Sequence, residues 1–159
     1  MFGDFGINFE DIMGVSVRVY NKSTNPIPEY AQNGDAGMDV RASETVCVYP
    51  GETKIIKTGL FVAIPQGYEL QVRPRSGMSA KTNIRIANSP GTIDSNYRGE
   101  IGVIVDNTGN DEYYINVGDR IAQLVLNKVP TIRWYPVENI EALGETNRGA
   151  GGFGSTGKQ

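Results

Sequence analysis

The run TKIIKTGLFVAIPQGYELQVRP, residues 53–74, decides the fold class. Its first half is dense in β-branched and apolar residues punctuated by Lys54, Lys57 and Thr58, and its second half, YELQVR, alternates apolar and polar at every step. That is the two-residue period of strands with one face on a core. The turn signal PQG at 65–67 joins the halves. Outward from it the pattern recurs, as VSVRVY (15–20) and TVCVY (45–49) upstream and IGVIVDN (101–107), YYINV (113–117) and RIAQLVLNKV (120–129) downstream. NGD, YPGE, NTGN and VGD supply turns between them. Short, closely spaced strands of this kind form an antiparallel sandwich or barrel, not alternating βα units. Helical signals are limited to about one turn near SGMSAK (76–81) and a weak amphipathic stretch, PVENIEALGE (136–145).

With 159 residues the chain is long enough for one domain that buries a core without disulfide or metal staples. A formal net charge of −3 argues against a general nucleic-acid binder, because backbone affinity comes from clustered Lys and Arg. The sequence contains 0 His, which removes Ser-His-Asp and Cys-His catalysis and imidazole metal sites together. Cys47 is the sole cysteine, so no intrachain disulfide or Cys-rich zinc site can form, and its place in TVCVY reads as a buried small apolar residue. Chemistry is left to carboxylates, amides, Arg and Tyr. The start MFGDFGINFEDIM carries Asp4, Glu10 and Asp11 and reads as no secretory leader, and no apolar run reaches the length of a membrane span. The expectation is a soluble, cytoplasmic protein with no membrane or nucleic-acid partner.

The Gly-rich end, NRGAGGFGSTGKQ from Asn147, contains two nucleotide-binding fingerprints that lack their required context. GAGGFG has no strand leading into it and too few residues after it for a helix, so the dinucleotide reading fails. GFGSTGK ends on Gln159 where a P-loop needs Ser or Thr, again with no helix to follow. The underlying physics survives: a Gly-rich backbone approaches phosphate closely, Arg148 suits bidentate phosphate contact, and Phe153 suits stacking on a base. A plain mobile tail fits the same composition.

Four internal segments crowd Gly, Asp, Arg and Ser at the ends of the expected strands: GDAGMDV (34–40), RPRSGMSAK (73–81), GTIDSNYRGE (91–100) and GDRIAQLVL (118–126). Singly each reads as a turn or a hydrogen-bonded surface. In order, with the Gly-rich tail as a fifth, they resemble the five motifs of the trimeric dUTP pyrophosphatase (dUTPase) family, over residues 15 to 157. The resemblance implies an all-β, jelly-roll-like β-barrel that forms a homotrimer with intersubunit active sites. It divides the chain into an N-terminal extension (1–14), the barrel (15–143) and a flexible Gly-rich arm (144–159) closing over the site.

It also implies roles. Asp39 matches the carboxylate that holds Mg²⁺ through coordinated water, a sensible arrangement for an ion that keeps several waters. Met38 and Val40 stand where the family usually has an aromatic and often Leu. Arg75, Ser76 and the backbone of Gly77 match the phosphate ligands. A β-hairpin from about Asn88 through Glu100 is expected to read the uracil edge, with Asn88 and Gly91 binding at the base and Thr92 and Ile93 too tight for a thymine methyl. Tyr97 matches the ring that packs on the deoxyribose and excludes a 2′-hydroxyl. Asp94 matches the catalytic carboxylate, placed to orient a water for in-line attack on the α-phosphorus of dUTP. A free aspartate is only a weak base near neutrality, so positioning must carry much of the work. Gln123 matches the glutamine that contacts phosphate or the attacking water, with Ile121, Leu124 and Leu126 as core and Asp119 and Arg120 as structural residues. Arg148 matches the γ-phosphate ligand, and Phe153 and Gly154 the part of the tail laid over uracil.

The implied reaction gives dUMP and pyrophosphate, which limits uracil incorporation into DNA and supplies dUMP for dTTP synthesis. Two alternatives remain at this level. One is the dCTP deaminase branch of the superfamily, which acts on the base; the other is a nucleotide-gated regulatory binding protein that keeps the pocket.

Overall fold

The structure is a computed structural model that describes residues 14–152. In chain order the strands are β1 (Arg18–Asn21), β2 (Met38–Arg41), β3 (Val46–Val48), β4 (Thr53–Ala63), β5 (Tyr68–Arg73), β6 (Ile84–Ile86), β7 (Gly91–Ile93), β8 (Glu100–Asn107), β9 (Tyr113–Ile115) and β10 (Arg120–Lys128). One α-helix, α1 (Ser76–Lys81), and a 3₁₀ turn (Glu141–Leu143) complete the regular elements among the described residues. One sheet has the order β1-β4-β8-β6, the second β2-β10-β5-β7, and β3 pairs with β9 in a two-stranded ribbon. Every pairing is antiparallel. The architecture is all-β and jelly-roll-like, and the long strands β4, β8, β5 and β10 lie inside their sheets with short ones at the edges.

The core is the inward parity of these strands. In β8, Ile101, Val103, Val105 and Asn107 are buried while Glu100, Gly102, Ile104 and Asp106 are half-exposed. Val40, Ile56, Leu70, Val72, Ile121 and Leu124 face them from neighbouring strands. Each such aliphatic side chain stabilises the fold by about 1.5–3 kcal/mol. Asn107 is 2% exposed and fully engaged: its Nδ2 donates to the carbonyls of Val48 (2.9 Å) and Asp111 (2.8 Å), and its Oδ1 accepts from Gly109 N (2.9 Å). Asn107→Asp keeps the shape but turns the donor against two carbonyl oxygens. We expect it to cost at least about 2 kcal/mol, read as a lower urea midpoint at unchanged slope.

The pairing of β4 with β8 is interrupted where Lys57 faces Gly102 and Phe61 faces Glu100. The extra β4 residues are held by side chains. The buried Thr58 hydroxyl donates to Ile101 O (2.6 Å), and Gly59 N donates to Glu100 Oε1 (2.8 Å). Gly59 has φ +70° and a Cβ there would meet Ser23 Cβ at 2.7 Å, so no other residue fits.

Three expectations change. The short strand β2 lies in a segment read only as a motif, and β6 in one the sequence reading passed over. Cys47 is half-buried and faces outward, its Sγ 3.9 Å from Glu112 Oε2, because the alternation that buries Val48 points position 47 the other way. The segment 88–100 is not a two-stranded hairpin: β7 pairs with β5, whereas β8 pairs with β4 and β6, so the chain crosses there from one sheet to the other. Beyond β10 the chain runs without a strand through Ile132, Trp134 and Tyr135, which are 68%, 82% and 89% exposed.

Candidate active site

Strand parity sets the site on the outward face of the second sheet. The register aligns Asp39 of β2 with Gln123 of β10 and Gln123 with Arg73 of β5, and Gln71 of β5 with Thr92 of β7. These side chains must share a face because their neighbours Val40, Leu124, Val72 and Ile93 fill the core. On β5 the face is already a hydrogen-bonded row, with Arg73 Nε donating to Gln71 Oε1 (2.8 Å) and Gln71 Nε2 to Glu69 Oε1 (2.6 Å).

At the β2 edge, Asp39 gathers two guanidiniums. Arg75 Nε donates to its Oδ1 at 2.7 Å and Arg120 Nη1 to its Oδ2 at 3.3 Å, while Arg75 Nη1 reaches Arg120 O at 3.3 Å. Gln123 Nε2 donates to Pro74 O (2.9 Å), fixing the loop that carries Arg75, and Gly37 leaves the space its amide occupies. Ser76 and Gly77 open α1 and are exposed, with no acidic residue in the first turn. Arg120, expected to be structural, borders the cleft it shares with Asp39 and Gln123 and a second one it shares with Arg75 and Gly77. The cause is a bulge near the start of β10, where Ile121 and Ala122 are both buried and strict alternation fails. Asp119 keeps the expected turn role, its Oδ2 accepting from Asn116 N at 2.8 Å.

At the opposite edge, Asp94 follows β7 and is exposed at a cleft of about 790 Å³, bordered also by Thr92, Ser95, Tyr68, Glu69 and Thr131. Arg98 ties the turn by donating to Ser95 O (2.8 Å) and Tyr97 O (2.7 Å). Gly91 is buried against Val72, and a Cβ there would lie 3.2 Å from Asn88 Nδ2, so the exposed Asn88 amide rests on the bare backbone. Ile93 is 7% exposed and its side chain belongs to the core, which leaves only its backbone for a ligand. Tyr97 is half out of the surface, its hydroxyl donating to Glu100 O at 3.0 Å.

The candidate groups at the two edges stand apart. Asp39 is on one edge strand and Asp94 follows the other, with β10 and β5 between them, so the edge strands lie about 14 Å apart at a spacing of about 4.8 Å per strand. Arg148 sits in an exposed turn, its Nε donating to Gly151 O (2.8 Å). Phe153 and Gly154 lie outside the described residues. No group of three or more His, Cys, Asp or Glu able to hold a metal ion occurs among the described residues. Asp39 is a lone carboxylate in that respect, a donor suited to reaching a hydrated ion through water and not to caging it.

Two guanidiniums gathered at Asp39 on the face that also carries the exposed Asp94 are chemistry suited to a small polyanion. Residues 23–157 match the dUTPase family model, and the chain belongs to the dUTPase family. A deoxyuridine 5′-triphosphate nucleotidohydrolase of Finegoldia magna is 48% identical over 145 residues, spanning 90% of this chain and 99% of that one. One from Rickettsia bellii is 47% identical over 148 residues, spanning 92% and 97%. Among solved structures, a Staphylococcus bacteriophage 80alpha dUTPase variant with dUpNHpp superposes with TM-score 0.81 at 32% identity, covering 90% of this chain and 99% of that one. A variant dUTPase from phage phi11 of S. aureus, which coordinates a structural Mg(II) ion, gives 0.73 at 31% identity, covering 80% and 99%.

Proposed function

We propose that the protein hydrolyses dUTP to dUMP and pyrophosphate, limiting uracil incorporation into DNA and supplying dUMP for dTTP synthesis. The observation that carries this reading is the exposed Asp94 carboxylate at the rim of the β7 cleft, in a chain of this family. In the proposed step a water oxygen attacks the α-phosphorus and gives its proton to Asp94 while the bond to the bridging oxygen breaks. Pyrophosphate then leaves in line with the attack. Arg75, Ser76, Gly77 and Arg148 neutralise and orient the phosphates, and Gln123 fixes the Arg75 loop or reaches the phosphate or the water. Arg120 adds its charge at Asp39. Bound Mg²⁺ would screen the charge of the triphosphate, with Asp39 holding its waters. Asn88, Gly91, Thr92 and the backbone of Ile93 test the uracil edge, Tyr97 the sugar, and Phe153 and Gly154 cover the base.

Because Asp94 lies beside the Glu69 end of β5 and Arg75 follows its other end, about six residues or roughly 20 Å along the strand, a complete site is proposed to draw them from different subunits of a homotrimer. The exposed Ile132, Trp134 and Tyr135 support this, since apolar side chains so open to water suit burial against another copy. In this scheme residues 1–14 are an extension, 15–143 the barrel and 144–159 the arm that closes the site. No described helix is long and apolar enough to cross a membrane.

Incubation with Mg²⁺ and dUTP, dCTP, dTTP or UTP in turn tests the assignment. We expect dUMP and pyrophosphate from dUTP alone. Ammonia released from dCTP would replace this reading with deamination, and nucleotide binding without turnover would replace it with a regulatory protein.

A further inference from the structure

Tyr97 is 44% exposed and sits in the connection between β7 and β8. A ring on an open turn changes rotamer in picoseconds to nanoseconds unless something holds it, and a wall that moves does not exclude one extra hydroxyl. Two contacts hold it here. The phenol donates to Glu100 O at 3.0 Å, and the ring lies on Gly99, where a Cβ would come within 2.5 Å of Tyr97 Cζ and 2.9 Å of Cε2. Gly99 is not among the residues with positive φ, so its backbone does not itself call for glycine. What needs the missing side chain is the ring. Glu100 is anchored in turn, since its Oε1 accepts from Gly59 N in the β4 bulge and the buried Thr58 hydroxyl binds the adjacent Ile101 carbonyl.

We infer that Gly99 and Glu100 are positioning residues that lock the Tyr97 ring against the sugar position and so set the selection of deoxyribonucleotide over ribonucleotide. Neither touches substrate; both act through Tyr97. The inference rests on the proposed dUTPase reading. It adds that sugar selection comes from the rigidity of the ring as well as its presence, and that the rigidity is passed from the centre of the first sheet through Glu100.

The test measures kcat and KM for dUTP and UTP with the full chain and with Tyr97→Ala, Tyr97→Phe and Gly99→Ala. Tyr97→Ala reports whether the ring is the sugar wall at all. Gly99→Ala displaces the ring, and we expect the dUTP-to-UTP ratio of kcat/KM to fall about tenfold or more, chiefly through KM. Tyr97→Phe removes only an exposed hydroxyl and does not endanger folding; it should lower the ratio about threefold, and it decides the matter if Gly99→Ala does not fold. A merely structural role would slow both substrates together and leave the ratio intact. If Tyr97→Ala collapses the ratio while Gly99→Ala and Tyr97→Phe hold it within about twofold, the inference is overturned and the dUTPase reading stands. A parent protein inert toward dUTP, or an unchanged ratio in Tyr97→Ala, removes the inference at its base.

Discussion

Asp94→Asn should still bind dUTP and lose turnover by about a thousandfold. The amide matches the carboxylate in size and keeps an oxygen that can accept a hydrogen bond from a sugar hydroxyl, but it cannot take a proton from the attacking water. Loss of a general base typically removes 10²- to 10⁴-fold, and about a thousandfold is the middle of that range. The position favours a clean experiment. Asp94 is exposed beyond the end of β7 and contributes nothing to the core, so the variant should unfold at the same denaturant concentration as the parent. Equilibrium titration with dUTP and steady-state kinetics separate binding from chemistry. Near-parental turnover would remove Asp94 from the role proposed for it.

Mixing two inactive variants should restore activity. Asp94→Asn keeps Arg75, and Arg75→Ala keeps Asp94. If one site takes Asp94 from one subunit and Arg75 from another, random mixed trimers at equal ratio will contain intact sites at about a quarter of the total, the product of two independent halves. Unfolding and refolding the two proteins together, then assaying dUTP hydrolysis, gives the answer. Recovery near that fraction is expected because Asp94 and Arg75 lie at opposite ends of β5 in one chain. Activity no higher than the sum of the separate variants would place both residues in the same subunit's site. Arg75→Ala also strips Asp39 of its 2.7 Å partner, so its own loss should exceed that of one phosphate contact.

The long strands were legible because burial imposes its period on composition: YELQVR alternates in the sequence and in the burial of β5. β2 and β6 were not, since runs of three or four residues leave no period to detect. Cys47 shows the opposite error, in which a small apolar residue was read by type when its parity against Val46 and Val48 already pointed it outward. Motif order singled out Asp39, Arg75, Asp94 and Gln123, and the fold brings the side chains of Arg75 and Gln123 to the β2 side near Asp39. It could not reveal that Asp94 stands at the other edge, which follows from which strands pair. Nor could it reveal Arg120, because a bulge is a matter of backbone register that the residues RIAQ do not announce. The Ile93 side chain faces the core, as that of its ladder partner Leu70 does, so only its backbone is left for the role expected of it.

The placement of short strands at every sheet edge has a further consequence. Unpaired N–H and C=O groups along an edge are templates for runaway strand addition, the route to fibrils. In both four-stranded sheets the strands of 11, 9, 8 and 6 residues have neighbours on each side, and only strands of three or four residues are left at the rims. Among the described residues, each open rim therefore offers an incoming strand no more than four residues of backbone to pair with.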